Sequence, residues 1–284
     1  MAGLDVRRAE PELLAEVGAL VDEVFAATRG RLSIASRFPH VLTESNAANV
    51  FVGLVSGRVV AVVVTRLFTW RRDGASGRSA MAGLVATDAA HRGQGIATAV
   101  LEAAVAGLAE DGASSVVLWT TRPSLYERVG FELDDPGVLG AVSGHPPGRD
   151  LPAPGRIDPE ELEEIRTQSH AFRVERTVAT WAAVPPPAEE VVAYRTPAAY
   201  ALAGRAGGAS YVYELAGDAR DFDSLLGALR RDAEWVFVND APGTGSHARL
   251  DAARVQWEAK PLGMWLALSP GAPTGLYIPY FDRI

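Results

Sequence analysis

The sequence predicts an α/β (α+β) protein, a mixed central sheet flanked by helices, with that arrangement laid down twice along the chain. Three observations predict it. "DAAHRGQGIATAVLEAAV" (88–105) sets Arg92, Gly93 and Gly95 directly before a helical stripe of Ile96, Val100, Leu101, Ala104, Val105 and Leu108. It follows "AMAGLVAT", which reads as a buried strand, so the glycine cluster is a strand-to-helix turn. Upstream, "VFVGLVSGRVVAVVVTRLFTW" reads as two strands around Ser56-Gly57, a hairpin signal. Finally, the order strand, helix, strand, short helix, strand over 80–135 returns in the second half of the chain.

In order, "DVRRA" is a short strand, and "PELLAEVGALVDEVFAAT" is a helix with proline at its first position. "RFPHVLTESNAANV" is polar and irregular, and the Ser56-Gly57 hairpin follows it. "RRDGASGRS" is a looser turn into a strand over Met81–Thr87. After the glycine cluster come a helix over Gly95–Glu110, the stop "DGA", a strand over Ser115–Thr120 and then "RPSLYERVGFEL". An antiparallel front and a βαβ rear do not fit a doubly wound dinucleotide fold.

"DDPGVLGAVSGHPPGRDLPAPG" has no periodicity and reads as a linker. "DPEELEEIRTQSHAFRVERT" reads as a helix capped by Asp158, with Pro159 first and glutamates that suit the dipole. "VPPPAEE" breaks the chain again. Then "SYVYELAGD" is a strand, "FDSLLGALRRD" a helix, "EWVFVND" a strand, "HARLDAARVQW" a helix and "PLGMWLALS" a strand. The second junction, "AGDARDFDS", places aspartates where the first places arginine and glycines. The second copy therefore reads as one that has lost an anion site. The boundaries that follow are 1–140, a linker with one helix over 141–189, and 190–284.

Composition restricts the chemistry. With 48% hydrophobic and 22% charged residues the chain is globular, with ample core material. It has no cysteine, which excludes disulfides, thiolate metal sites and a cysteine nucleophile. Five scattered histidines without HExxH predict no metal. A net charge of −8 argues against nucleic acid and favours cationic ligands. The N-terminus turns acidic too early for a signal peptide, and Val59–Val64 is too short to span a bilayer. A cytoplasmic protein without membrane attachment is the expectation.

Glycine lets a backbone approach a ligand closely, and a helix start offers unpaired N–H groups; together they make a nest for phosphate oxygens. The spacing Arg92-x-x-Gly95-x-Ala97 is neither GxGxxG nor a P-loop. It resembles the pyrophosphate loop of the GCN5-related N-acetyltransferases (GNAT), and "SLYERVGFE" resembles that superfamily's YxxxGF segment. More narrowly, "RFPHVLTESNAANV", "GLVATDAAHRGQGIATAVL", "LYERVGFE", "AFRVERTVATW" and "YELAGD" resemble tandem-domain bacterial acetyltransferases. That group includes the enhanced-intracellular-survival aminoglycoside acetyltransferases. The chain is too short for their sterol-carrier-like domain, so their particular substrates do not carry over.

The resemblance implies tandem GNAT folds: a catalytic domain over 1–140 and a degenerate copy over 190–284 that completes the acceptor cleft or mediates self-association. It implies acetyl-CoA as co-substrate, with its pyrophosphate on Arg92, Gly93, Gln94, Gly95, Ile96, Ala97 and Thr98. Pantetheine amides would pair with Val85, Ala86 and Thr87 as an added strand. The implied reaction is direct attack of an amine on the thioester, with Tyr126 as the acid that protonates the thiolate. The base stays open among Asp88, Glu127, water and the C-terminal carboxylate of Ile284; His91 reads as a solvated loop residue. Phe38 and His40 fall where the superfamily binds acceptors. Trp119 and Trp70 are further lining candidates, although strand tryptophans usually belong to cores. A small-molecule amine or a protein N-terminus fits as acceptor. The alternative function is a non-catalytic acyl-CoA sensor or scaffold, and homo-oligomer formation is left open.

Overall fold

Valine and other small or β-branched residues dominate positions 50–64, and such side chains pack well on a pleated surface. In the computed structural model, which describes residues 3–142, 151–169, 172–252 and 255–284, this run builds the middle of one of two sheets. The chain divides into two units, 1–135 with 262–276 and 284, and 136–261 with 277–283.

The first unit contains strands Leu4–Arg8 (β1), Val50–Val55 (β2), Arg58–Arg72 (β3), Ala75–Thr87 (β4), Ser115–Trp119 (β5) and Glu132–Leu133 (β6). Its helices are Leu14–Val24 (α1), Ala26–Arg29 (α2), Ile34–Arg37 (α3), Ile96–Glu110 (α4) and Pro123–Glu127 (α5). Strands β1 to β4 pair antiparallel in sequence order, and β4 then runs parallel to β5. The second turn differs from the loose one expected over 71–79. Asp73 and Gly74 form a two-residue turn, both at positive φ (50° and 81°), and the strands run straight through it. Such a turn matches the twist of the flanking strands and needs no further loop. Between β5 and β6 the sheet receives a strand from far along the chain, Gly263–Ala267, antiparallel to both. Helix α4 covers one face: Val100, Leu101, Ala104 and Leu108 meet Phe51, Val63, Ala80 and Val116 in the core.

The second unit contains strands Val138–Val142 (β7), Pro154–Gly155 (β8), Phe172–Val174 (β9), Val191–Arg195 (β10), Ala199–Ala206 (β11), Ala209–Gly217 (β12), Trp235–Asp240 (β13) and Gln256–Ala259 (β14). Helices are Pro159–Ser169 (α6), Val178–Trp181 (α7), Phe222–Asp232 (α8) and Gly245–Ala252 (α9). The sheet order is β14-β7-β13-β12-β11-β10-β8, with β12 and β13 parallel and α8 burying Leu225, Leu226 and Leu229 against them. The strand–helix–strand repeat is present, down to a one-residue bulge. In the first unit it lies opposite Val63 on β3, and in the second between the Leu202–Glu214 and Ala203–Val212 pairs.

Several sequence-based boundaries change. The 138–142 part of the expected linker is a strand in the interior of the second sheet, while 263–267 joins the first sheet rather than closing the second. The two strands hold equivalent places, each following the second strand of the parallel pair. The helix expected over 158–177 stops at Ser169, and the one over 247–257 stops at Ala252, each followed by a short strand. Linker residues 143–150, His170-Ala171 of the first helix and Ala253-Arg254 of the second lie outside the described residues. Among the described residues no helix is long and apolar enough to cross a membrane.

A buried ion cluster anchors the second unit. Arg176 donates to both carboxylate oxygens of Glu214 (2.8 and 2.9 Å) and both of Asp282 (2.7 and 2.8 Å). Its guanidinium lies 4.4 Å from the Trp181 ring centre and 4.8 Å from that of Phe281. Tyr200 donates to Glu214 at 2.8 Å. Burial alone would raise the Glu214 pKa, but Arg176 and Arg166 hold it below 4.5. Glu214 therefore contributes stability above its unfolded pKa, and that contribution is lost as the pH falls through the depressed folded value.

Arg176→Ala leaves two buried carboxylates without their guanidinium and is expected to cost about 3–5 kcal/mol at pH 7. The gap to the unaltered protein should narrow below about pH 4.5, where carboxylates take up protons. Urea unfolding at both pH values checks this; a gap that does not change with pH contradicts it.

Candidate active site

Strand β4 pairs with β5 only at Ala80–Val116 and Met81–Val117. Beyond that point two residues of β4 oppose one of β3: the register passes from Val64–Gly83 to Val62–Ala86. Leu84, inside the bulge, has φ +48°. A bulge bends its strand and sharpens its twist. The two parallel strands therefore part, and the end of β4 presents backbone that β5 does not pair.

Asp88 ends β4. Its carboxylate accepts from the Ala90 N–H (2.9 Å) and pairs with His91 Nδ1 (2.8 Å). The His91 hydrogen bond is the main reason its pKa lies below 3.8, with the Ala90 N–H adding to the effect. The carboxylate is thus a turn cap. After this turn Gly93 and Gly95 take φ +74° and +78°, and Gly95 caps α4 in the left-handed conformation. A β-carbon on either glycine would meet no protein atom within 4 Å. Packing leaves that space open, and the backbone angle makes glycine the cheapest residue there.

The first intrahelical bond of α4 runs from Ala99 N–H to the Gly95 carbonyl. The N–H groups of Ile96, Ala97 and Thr98 therefore have no acceptor within the helix. No acidic side chain occupies the first turn. Arg92 stands beside this end, its Nε donating to the Thr87 carbonyl at 3.1 Å. Positive helix end, aligned N–H groups and guanidinium converge on one place, an arrangement that binds anions.

A cleft of about 510 Å³ opens there. Of the expected ligand-binding residues, Val85, Thr87, Arg92, Gly93, Gly95, Ile96, Ala97 and Thr98 line it; Ala86 and Gln94 do not. Ala86 is buried on the opposite side of the strand, as alternation requires. The Gln94 side chain turns back to donate to the Ala90 carbonyl (3.2 Å). His91, Val24, Leu125, Arg122 and Arg128 also line the cleft. The two arginines bracket α5; the only signal for them in the sequence is the pair of basic residues around "PSLYE". Among the described residues no carboxylate lines this cleft.

Tyr126 lies in the core cluster with Ile96, Leu118 and Phe131, its ring edge-on to Phe131. It is not among the cleft-lining residues. Burial raises its pKa above 10.0, against the opposing effects of a Thr120 hydrogen bond and the Arg122 charge. Phe38 is buried edge-on to half-buried His40, and Trp119 sits at the end of β5 opposite Gly263; none of the three lines the cleft. Trp70 lies across Gly77, its hairpin partner, so closely that a β-carbon there would overlap the indole. The carbonyl of Ile284 occupies the space where a β-carbon of Gly83 would stand. Glu127 is exposed on α5.

The second unit builds the corresponding junction with the opposite charge. Asp218 caps a short turn as Asp88 does, and its pKa falls to about 2, chiefly through the hydrogen bond from Arg220. The helix α8 then starts at once, with Asp221 as its N-cap and Asp223 in the first turn. Gly217 is needed for packing, since a β-carbon there would lie 2.2 Å from the Ala198 carbonyl oxygen. The larger cavity at this junction, about 850 Å³, is lined by Glu161, Glu164 and Asp218 and by Arg195, which pairs with Glu161.

Residues 5–133 match the family of acetyltransferase (GNAT) domains. Among solved structures, the chain is similar to a GCN5-related N-acetyltransferase from Anabaena variabilis ATCC 29413 (TM-score 0.72, 15% identity, 94% of this chain and 73% of that one). It is similar to Eis1 from Mycobacterium abscessus (TM-score 0.64, 14% identity, 93% and 73%). A third likeness is to a tandem GNAT protein from the clavulanic acid biosynthesis pathway (TM-score 0.54, 12% identity, 94% and 99%). At these identities the likenesses concern the fold. Comparison with curated proteins finds no match by sequence.

Gly95→Ala puts a methyl group into the open space before α4. It is expected to cost about 1–2 kcal/mol of stability, the strain of a left-handed non-glycine residue, and to weaken coenzyme A binding at least ~10-fold (about 1.4 kcal/mol). Calorimetry on the folded variant measures this; unchanged affinity would remove the nest from the binding site.

Proposed function

We propose, from the match of residues 5–133 to acetyltransferase (GNAT) domains, that the protein is an N-acyltransferase moving an acetyl group from acetyl-CoA to a primary amine. The observation that carries this reading is the junction of β4 and α4. A bulged strand end offers backbone that β5 does not pair, immediately before a glycine nest whose helix has no acidic residue in its first turn. That order suits a ligand consisting of amides followed by a pyrophosphate. Pantetheine would lie along Val85–Thr87 as an added strand. The pyrophosphate would accept from the N–H groups of Gly93 to Thr98, with Arg92 beside it.

In the reaction, the neutral amine attacks the thioester carbonyl, the C–N bond forms, and the C–S bond breaks with its electrons on sulfur. The thiolate then takes a proton. Tyr126 is the donor in this reading: its raised pKa keeps the phenol protonated at neutral pH, so its proton is available when the thiolate leaves. The phenolate regains its proton through solvent. The amine loses its own proton to a base before the attack or during it. A coenzyme-binding sensor would show the same nest without turnover, and the following assay separates the two.

Thiol release from acetyl-CoA with a panel of primary amines is expected to show acceptor-dependent turnover. The chain contains no cysteine to interfere with the readout. Tyr126→Phe should keep coenzyme A affinity while kcat falls about 10²–10⁴-fold, the range for a lost general acid. Near-normal kcat would make Tyr126 a packing residue only.

The second unit is read as a copy that no longer binds the coenzyme, because Asp218, Asp221 and Asp223 repel phosphates where Arg92 attracts them. One coenzyme A per chain is therefore expected by titration calorimetry. A stoichiometry near two would contradict this reading.

A further inference from the structure

The cleft beside α4 carries more positive charge than a pyrophosphate requires. Strand end and nest fix the direction of the proposed ligand: pantetheine toward Val85, pyrophosphate at Gly93–Thr98. The remaining end of coenzyme A, the adenosine with its 3′-phosphate, must leave the nest on the other side. The cleft residues not used by the nest or the strand include two further cations, Arg122 and Arg128, which flank α5 with Leu125 between them. Neither guanidinium has a carboxylate partner among the described residues, and the Arg122 side chain does not cap the helix it precedes. Both residues are exposed, so packing does not explain them.

A 3′-phosphate is a monoester that approaches a dianion at neutral pH, whereas each pyrophosphate group carries a single ionised oxygen. The nest and Arg92 suit the pyrophosphate; two guanidinium groups suit the dianion, because arginine presents paired N–H donors to phosphate oxygens. On the coenzyme A reading above, we infer that Arg122 and Arg128 hold the 3′-phosphate and so make this site selective for coenzyme A over its 3′-dephospho form. Leu125, between them, gives the adenine an apolar surface. The selectivity arises on α5, apart from the nest, and the nest serves both ligands equally.

Calorimetric titration of the full chain at about 0.15 M salt with coenzyme A and with 3′-dephospho-coenzyme A tests this. The unaltered protein is expected to bind coenzyme A about 10–100-fold tighter than the dephospho form, the range for one or two charge-assisted hydrogen bonds. The Arg122→Ala/Arg128→Ala double variant should lower coenzyme A affinity to the dephospho level and leave dephospho-coenzyme A affinity unchanged. An Arg122→Gln/Arg128→Gln variant with an unaltered melting temperature should behave in the same way. Equal affinity of the unaltered protein for the two ligands would overturn the inference while leaving the coenzyme A reading intact. Equal losses for both ligands in the variants, or no loss for either, would do the same. Binding of neither ligand by the unaltered protein would instead overturn the coenzyme A reading, and the inference with it.

Discussion

Two rungs of parallel ladder, Ala80–Val116 and Met81–Val117, hold β4 to β5, and one bulged residue then turns β4 away. The proposed site depends on this wedge. Backbone that β5 would otherwise have paired becomes available to a ligand, and the strand is aimed so that Asp88, the glycines and α4 follow along the same cleft. The wedge persists because the rest of the sheet is firmly set: β3 pairs with β4 on both sides of the bulge, and α4 buries Val100, Leu101 and Ala104 against the core. A local irregularity lasts when its surroundings allow no alternative.

The second unit shows that the scaffold and its chemistry are separable. It keeps the parallel pair, the bulge, the capping aspartate and the following helix. Just past the last β12–β13 pair it carries Glu214 beside the bulge, tied to Arg176 and Tyr200, with Asp282 bound to the same guanidinium. Tyr213, the bulged residue itself, stacks on Tyr280. The helix start bears aspartates in place of glycines. The same geometry thus serves a cationic, ligand-accessible junction in one unit and a buried ion cluster with an aspartate-bearing helix start in the other.

Much of the first unit was legible because its signals are local. A two-residue turn, an apolar run that reads as a buried strand, and glycines before an apolar stripe are each set by neighbours a few residues away. The nest belongs to this class, and eight of the ten expected ligand residues line the cleft. Ala86 and Gln94 fall outside it for different reasons. Ala86 follows strand alternation to the buried side, and Gln94 closes its own loop through the Ala90 carbonyl.

The sequence by itself determined the order of elements in the first unit, the strand–helix–strand repeat, the glycine nest and the opposite charge of the second junction, since each rests on residue types and short spacings. Tertiary structure alone decided which sheet Val138–Val142 and Gly263–Ala267 join. A short apolar strand pairs equally well with many partners, and only the assembled edges of β13 and β5 choose between them. Arg122 and Arg128 became cleft residues in the same way, because α5 lies beside the nest in space while standing well after it in the chain. It was also long-range packing that put Tyr126 in the core and brought Arg176, Glu214 and Asp282 into one cluster. Charges so far apart in sequence carry no local pattern, and burial turns them from solvated side chains into a single ionic unit.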